Sequence, residues 1–577
     1  MLNSDRGAKL KVEPIEIETD VLVIGGGIAG TFAALRAKER GLDVTLVDKG
    51  TVGKSGLSPW FTGFAVYDPS SGAGREDFVD AVAQGTRMGR MGGWEQACRE
   101  DFVDAVAQCE EYLTNRPYIE MWMDDGCDRY EELVSWGAFE GGKQGHGPRF
   151  REQLKKNGVR LVERTMIVEL IEKDGRVGGA VGFPMEKDQA VVIQARAVIL
   201  CSGAGAFKTP GFPIGPLTHD GDAMAYKLGA EITGKEFTDY HFTHYENPAY
   251  FWGNYGAGDW ESPLHKVSAR IVSRPTLDMS LRAHEADVPL TMGPPPPGGP
   301  PGGRPPGPPP GGAHGRGKMP GVRDPKLPLV IGATAGMAPH KCEGIFPQND
   351  RCETGVPGLY AAGDALCTSG AVYGIGGYSS SGSAVQGSRA GTYAAEYVLE
   401  TGASLASKGQ VSEIIERMFS PRAREQGYSP AWVTQVLQGL MVPYYVLCVK
   451  RKDRLKAALT NVEFLRDHFV PQLLAQDTHG LRLAHETAHM VLNAEMKLRA
   501  SLFRTESRGS HYRQGYPARD DADWLAWVKI KHENGNMKVF KEPIPEAWRP
   551  AESSVYKSRY PHRFPGELEF LHARTNR

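Results

Sequence analysis

Long apolar runs, paired cysteines and an excess of charge of either sign are what this sequence lacks. No apolar stretch approaches the roughly 18 residues a membrane-spanning helix needs, so no membrane span is expected. Eight cysteines are present (Cys98, Cys109, Cys127, Cys201, Cys342, Cys352, Cys367 and Cys448), and none forms a Cys-x-x-Cys pair. Iron–sulfur clusters and structural zinc both draw on closely spaced cysteines, so the chain is expected to ligate no metal of its own. The stretch "MLNSDRGAKLKVEPIEIETD" is too charged for the apolar segment of a secretory signal. Disulfides follow oxidising compartments, and reduced thiols in the cytoplasm are therefore the expectation. A formal net charge of -2 gives no electrostatic reason to expect nucleic acid or an anionic membrane as partner.

What is present is an ordinary globular composition, 41% hydrophobic and 24% charged over 577 residues. That length suffices for about two to four domains with sizeable cores. The best-organised segment is "DVLVIGGGIAGTFAALRAKERGLDVTLVD", residues 20–48. An apolar strand stops at three glycines, a helical stretch runs to Gly41, and a second strand ends on Asp48, which is a βαβ unit. Gly25 permits a tight turn, Gly27 lets backbone approach a pyrophosphate, and Gly30 allows close packing of helix on strand. Asp48, 18 residues after Gly30, stands where an acid accepts from a ribose hydroxyl. An acid there favours FAD or NAD over NADP. "AVILCSGAG" and "GVPGLYAAGD" are two further strands running into small-residue turns. An elongated flavin cofactor must be touched along its length by turns far apart in sequence, so FAD is the reading.

The ten letters "REDFVDAVAQ" occur twice, at 75–84 and 99–108, and read as two similar amphipathic helices. Residues 158–200 alternate apolar and polar as strands do. Residues 289–312 are almost wholly Pro and Gly, which form neither helix nor sheet interior, so they read as a surface spacer. Residues 369–386, "SGAVYGIGGYSSSGSAVQ", carry no charge. Such a run is a flexible linker or a place of close backbone approach. From about residue 390 the patterns are mostly helical.

Taken in order, "VLVIGGGIAGTFAALRAKERGLDVTLVDK", "ARAVILCSGAGA", "THDGDAMAYKLGAEI", "GVPGLYAAGD" and "ESRGSHYRQGYPARDDADW" resemble the flavoprotein subunits of the fumarate reductase/succinate dehydrogenase family. That family includes L-aspartate oxidase and adenylylsulfate reductase, and the C-terminal stretches look closest to the adenylylsulfate reductase branch. The resemblance implies an α/β fold: a Rossmann-like FAD-binding domain with an inserted α+β capping domain, then a helical C-terminal domain. The expected boundaries are 15–222 and 341–400 for the two parts of the FAD domain, 223–340 for the cap with its Pro/Gly insertion at 289–320, and 401–577 for the last domain. It also implies that Asp220, Gly221, Asp364, Ser380 and Ser381 sit on FAD, joined by Lys49, Ser55, Gly56 and Gly203. Several relatives attach FAD covalently through a histidine near the place of Gly56, so the flavin here is expected to be non-covalent.

Members acting on dicarboxylates carry an arginine after the "GLYAAG"-like turn, a charged fork for a substrate carboxylate. Here Tyr373 or Gly374 stands in that place, and tyrosine donates one uncharged hydrogen bond. Fumarate and succinate are therefore not the expected substrates. By resemblance His241 and His340 face the substrate, with His244 a weaker candidate, and Arg274 or Arg270 would stand for the proton-donating arginine of the cap. Tyr373 and Tyr378 flank the expected substrate face, where packing explains them equally well. Arg508 is read as structural, paired with carboxylates such as Glu506. The expected activity is hydride transfer between FAD and a small organic substrate at an activated C–C bond, with electrons exchanged with an iron–sulfur or ferredoxin-like partner. The alternatives are adenylylsulfate-type sulfur chemistry, a FAD-bound electron-transfer subunit without a substrate pocket, and an amino-acid oxidase.

Overall fold

The computed structural model describes residues 14–60, 64, 66–68, 91–92, 103–104, 106–107, 111–138, 146–208, 217–237, 240–243, 330–333, 343–368, 378–401, 408–442, 446, 449–509, 511–516 and 519–550. At its centre is a seven-stranded sheet. The first strand, Ile15–Ile24, begins exposed and ends with Val21–Ile24 buried. Four consecutive apolar residues without alternation are what a parallel strand covered on both faces requires. It pairs in parallel with Val44–Val47 on one side and with Val191–Leu200 on the other, and Arg160–Val162 extends the sheet beyond Val44–Val47.

The strand Val191–Leu200 forks the sheet. Its first residues pair antiparallel with Arg176–Pro184, which continues into a hairpin with Thr165–Lys173. Its last residues, Val198–Leu200, pair in parallel with Leu359–Ala361. The strands ending at Ile24, Val47, Leu200 and Ala361 therefore finish along one edge. Ligands of open α/β sheets bind beyond such carboxyl ends.

Helix Ile28–Glu39 follows the first strand and is buried at nine positions, including Ala29, Gly30 and Ala33. Against it lies helix Tyr378–Glu400. A Cβ on Gly387 would fall 2.2 Å from the Ala29 carbonyl oxygen, and one on Gly391 would fall 2.2 Å from that of Ala33. The two helices thus touch backbone to backbone, and only glycine permits it. The serine- and glycine-rich run is helical from Tyr378 onward, the opening turns of a 23-residue helix, which excludes a flexible linker there; its residues 369–377 lie outside the described residues, and the two packing glycines follow just after it.

Helices Pro430–Met441, Lys452–Phe464 and Thr478–Phe503 build a second core from Val433, Leu437, Met441, Leu455, Val462, Met490, Ala494 and Leu498. The last of these is capped by Asp477, whose carboxylate accepts from the Gly480 amide at 2.6 Å. The chain then leaves helical structure, a feature absent from the sequence reading. Ala526–Glu533 and Asn536–Pro543 form an antiparallel hairpin, extended by Ile232–Thr233 and Gly344–Ile345 into a four-stranded sheet. Among the described residues no helix is long and apolar enough to cross a membrane.

Candidate functional site

The four strand ends enclose a cavity of about 300 Å³. Gly25–Gly27 form its first wall, with Gly25 at φ 109°. A Cβ on Gly25 would lie 2.1 Å from the Cys201 carbonyl oxygen, and one on Gly30 would lie 1.8 Å from that of Gly25. The glycines therefore keep the first strand, the helix start and the end of Val191–Leu200 in contact. Cys201–Ala204, with Gly203 at φ 76°, make a second wall; Ala362–Asp364, with Gly363 at φ 67°, make a third.

Asp48 closes the second strand and is largely buried. Its Oδ2 accepts from the Gly26 amide at 2.7 Å, and its Oδ1 accepts from the Gly50 amide at 2.6 Å and the Ser55 hydroxyl at 2.9 Å. A carboxylate offers about four acceptor positions, so one remains for a hydroxyl donor in the cavity. The Ile28 amide at the helix start donates to Ser58 Oγ at 2.9 Å, a cap supplied from a distant loop.

The remaining wall is charged. Lys49 Nζ donates to Asp220 at 2.7 Å, to Thr218 Oγ1 at 3.0 Å and to Glu486 at 2.9 Å. Asp220 also binds His489 Nδ1 at 2.8 Å, and the fully buried Glu486 faces Lys208 at 2.9 Å and Arg482 at 3.5 Å. Burial alone would lower the Lys49 pKa, but the charges of Asp220 and Glu486 outweigh it and raise it above the usual lysine range. Burial would likewise raise Asp220, yet Lys49 and His489 hold it well below the usual carboxylate range. Both groups stay ionised at neutral pH.

Of the residues singled out in the sequence, Gly25, Gly27, Asp48, Lys49, Ser55, Gly56, Gly203, Asp220 and Asp364 line this cavity together. Gly30 and Gly221 stand behind it as packing glycines; a Cβ on Gly221 would lie 2.1 Å from Ser202 Oγ. Ser380 and Ser381 are buried one turn away, Ser381 Oγ accepting from Trp122 Nε1 at 2.8 Å, and Ser383 lines the cavity instead. His241 lies on strand Tyr240–Thr243, in register with Gly332 of Val330–Ala333. Arg274, Arg270, His244, His340 and Tyr373 lie outside the described residues. Arg508 takes the structural place expected of it, fully buried between Glu506 at 2.7 Å and Asp521 at 2.6 Å. Sequence reasoning passed over Arg482, Glu486 and His489. Their signal was available: they recur at helical spacing on one face of "RLAHETAH".

The residues fit a flavin dinucleotide on their own chemistry. Glycine backbone lines the place where a diphosphate meets the helix start, and an acid closes the second strand. The buried Ser202 hydroxyl lines the cavity with no hydrogen-bond partner among the described residues.

Residues 20–245 match the family described as FAD binding domain, and residues 435–555 match that described as fumarate reductase flavoprotein C-term. The chain is 26% identical to an uncharacterised FAD-dependent oxidoreductase of Methanocaldococcus jannaschii, over 89% of this chain and 96% of that one. It is also 26% identical to one subunit of the CoM/CoB fumarate reductase of Methanothermobacter marburgensis, over 87% of this chain and 95% of that one. Adenylylsulfate reductase from Archaeoglobus fulgidus superposes with a TM-score of 0.72 at 21% identity, over 94% of this chain and 98% of that one. The Sdh1 complex of Mycobacterium smegmatis does so with a TM-score of 0.72 at 22% identity, over 96% and 99%. Those structures fix the fold, and the matched families with the two relatives, each covered over at least 95% of its own length, make this chain a FAD-dependent oxidoreductase similar to the fumarate reductase/succinate dehydrogenase flavoproteins.

Proposed function

We propose that the chain moves hydride between non-covalently held FAD and a small organic substrate, at an activated C–C bond, and that this substrate is not a simple dicarboxylate. The observation that carries the cofactor half is the meeting of Gly25–Gly27, Asp48, Gly203, Asp220 and Asp364 around one cavity. Bound FAD supplies two-electron chemistry; the chain's residues hold and orient it. The glycine backbone would let the diphosphate come close to the helix start, Asp48 would take a ribose hydroxyl, and Lys49 with Asp220 would form the charged wall. Gly56 lines the cavity at φ 71°, and no histidine stands among its described lining residues, which supports non-covalent binding.

The substrate half rests on Tyr373 or Gly374 replacing an arginine. Relatives named fumarate reductase argue the other way, so fumarate is the decisive acceptor. Electrons are exchanged with an iron–sulfur or ferredoxin-like partner; the naming of several relatives as subunits supports this. His241 and His340 are the proposed substrate-facing histidines, and Arg274 and Tyr373 the proposed partners in proton transfer.

The test is anaerobic. The bound flavin is reduced stoichiometrically, and its reoxidation is followed with fumarate, a panel of unsaturated acids and ketones, and adenylyl sulfate. Silence with fumarate and turnover with one other acceptor is expected. Fast reoxidation by fumarate would return the protein to dicarboxylate chemistry. A spectral adduct with sulfite, together with a response to adenylyl sulfate, would move it to sulfur chemistry.

A further inference from the structure

Among the described residues three cations line the cavity, Lys49, Arg164 and Arg482. Two of them are engaged elsewhere. Lys49 is shared by Asp220, Thr218 and Glu486. Arg164 pairs outward with Glu186, both side chains being more than half exposed. Arg482 comes instead from the helix Thr478–Phe503, which a row of contacts fixes along the cavity. Thr478 Oγ1 donates to the Met185 carbonyl oxygen at 2.6 Å, Glu486 accepts from Lys49 at 2.9 Å, and His489 meets Asp220 at 2.8 Å. Residues four apart on a helix share a face, so Arg482 stands in this row between Thr478 and Glu486. The same helix buries Ala484, Met490, Val491 and Leu498 in the second core, which holds the row in place.

The ties of Arg482 itself are loose. Nη1 lies 3.5 Å from Glu486, a carboxylate that Lys49 and Lys208 each already hold at 2.9 Å, and Nη2 lies 3.3 Å from the exposed His479. With 21% of its side chain exposed, the guanidinium keeps donors and a face for a ligand. The row also fixes which end of the cavity it meets. The Met185 amide donates to the Arg164 carbonyl oxygen at 2.8 Å, and the amides of Arg164 and Thr165 donate to the carbonyl oxygens of Gly50 and Asp48 at 2.8 and 3.0 Å. Arg482, set between the helix's contacts to Met185 and to Lys49, therefore belongs to the Asp48 end. Met166, Ile167 and Met185 give the cavity an apolar wall there. With a ribose on Asp48 and a diphosphate on the glycine turn, the base is the part of a dinucleotide left for this slot. A base is flat and uncharged, and a guanidinium is the cation whose plane stacks on such a face.

We propose that Arg482 binds the adenosine half of FAD by stacking on the adenine, so that the cofactor pins the helical region to the central sheet. The cofactor site is then built by two regions of the chain, and emptying it loosens the start of the helix Thr478–Phe503.

The proposal rests on FAD as cofactor and on no particular substrate, so it is tested by binding. The full-length apoprotein is titrated calorimetrically with FAD and with ADP, and amide hydrogen exchange of residues 478–490 is followed with and without FAD. Arg482→Met is expected to weaken both ligands by the same factor, about tenfold, and to abolish the slowing of exchange that FAD brings to residues 478–490. Arg482→Lys keeps a cation beside Glu486 and so spares the fold, but it lacks the plane and should still lose about threefold for both ligands. Affinities within about twofold of the native chain in both variants would overturn the proposal. So would a loss for FAD with none for ADP, which would put Arg482 on the flavin half. Full rescue by lysine would reduce the contact to a charge and overturn the stacking, and exchange unmoved by FAD in the native chain would overturn the pinning. A native chain that binds neither ligand would refute FAD as its cofactor, and the role of Arg482 would fall with it.

Discussion

Two buried charge networks in this chain use the same residue types to opposite ends. At the junction between the helical region and the C-terminal hairpin, Arg504 binds Glu236 at 2.8 Å, Glu506 at 2.6 Å and the carbonyl oxygens of Trp524 and Ala526. Arg508 shares Glu506 and reaches Asp521 and the Glu111 carbonyl oxygen. Arg504, Glu506, Arg508 and Glu236 are all wholly buried. Beside the cavity, Lys49 and Asp220 keep 19% and 13% of their side chains exposed, on the side where FAD is proposed to lie. A closed network spends its donors on its own chain and works as a clamp. A network with one open edge has charge left to offer a ligand.

The sharpest way to break the comparison is to open the closed side. Arg504→Met leaves Glu236 buried without its main cation, and removing one partner of a buried pair costs about 3–5 kcal/mol. Chemical denaturation is expected to show a loss of that size, with FAD affinity following only as folding is lost. A shift below about 1 kcal/mol would show that the junction is no clamp.

Acid is the next lever. Burial would raise the Asp521 pKa, but Arg508 and Arg519 outweigh it and hold it down to about 2. A depressed carboxylate adds stability that is present above its unfolded pKa and lost as pH falls through the folded one. The contribution of Asp521 is therefore complete above about pH 4 and disappears toward pH 2. With a quarter of its side chain exposed, its size is on the order of 1–2 kcal/mol after screening. Asp521→Asn should flatten that limb of the stability–pH curve; an unaltered limb would place the acid sensitivity elsewhere.

The sequence disclosed the open side of the molecule far better than the closed one. Gly25, Gly27, Gly30 and Asp48 are legible because a dinucleotide turn needs fixed residues at short spacing. "AVILCSGAG" and "GVPGLYAAGD" were legible as strand-to-turn units, and the sheet does bring both to the first turn. The charged wall was half visible. Lys49 and Asp220 followed from neighbouring motifs, whereas Glu486 and His489 come from a helix more than 260 residues beyond Asp220, a pairing only the fold creates. The C-terminal hairpin was missed although Val528, Lys529, Ile530 and Lys531 alternate as a strand does; only the fold shows that Lys529 is buried there, paired with Glu231 and Glu542.

A smaller effect is expected where the open network has a reserve. Asp220→Asn removes one of the two carboxylates on Lys49, and Glu486 remains at 2.9 Å to balance it. Stability should fall by no more than about 1 kcal/mol, while FAD binding weakens about tenfold, or about 1.4 kcal/mol. Fluorescence titration of apoprotein with FAD separates the two. A large stability loss with unchanged affinity would make this cluster a second clamp and erase the distinction.

The smallest effect tests the glycine wall. Ser58 caps the helix start by accepting from the Ile28 amide, and Gly27 must remain bare because its Cβ would lie 2.8 Å from Ser58 Oγ. Ser58→Ala should lower stability by about 0.5–1 kcal/mol, the ordinary cost of a lost cap. The freed amide then points toward the position proposed for the diphosphate, which accepts from such groups as readily as a serine does. FAD affinity is therefore expected to stay within about twofold, since phosphate replaces the hydroxyl as acceptor. A tenfold loss would mean that Ser58 itself touches the cofactor, and that the uncharged wall, like the charged one, acts through a side chain and not through backbone alone.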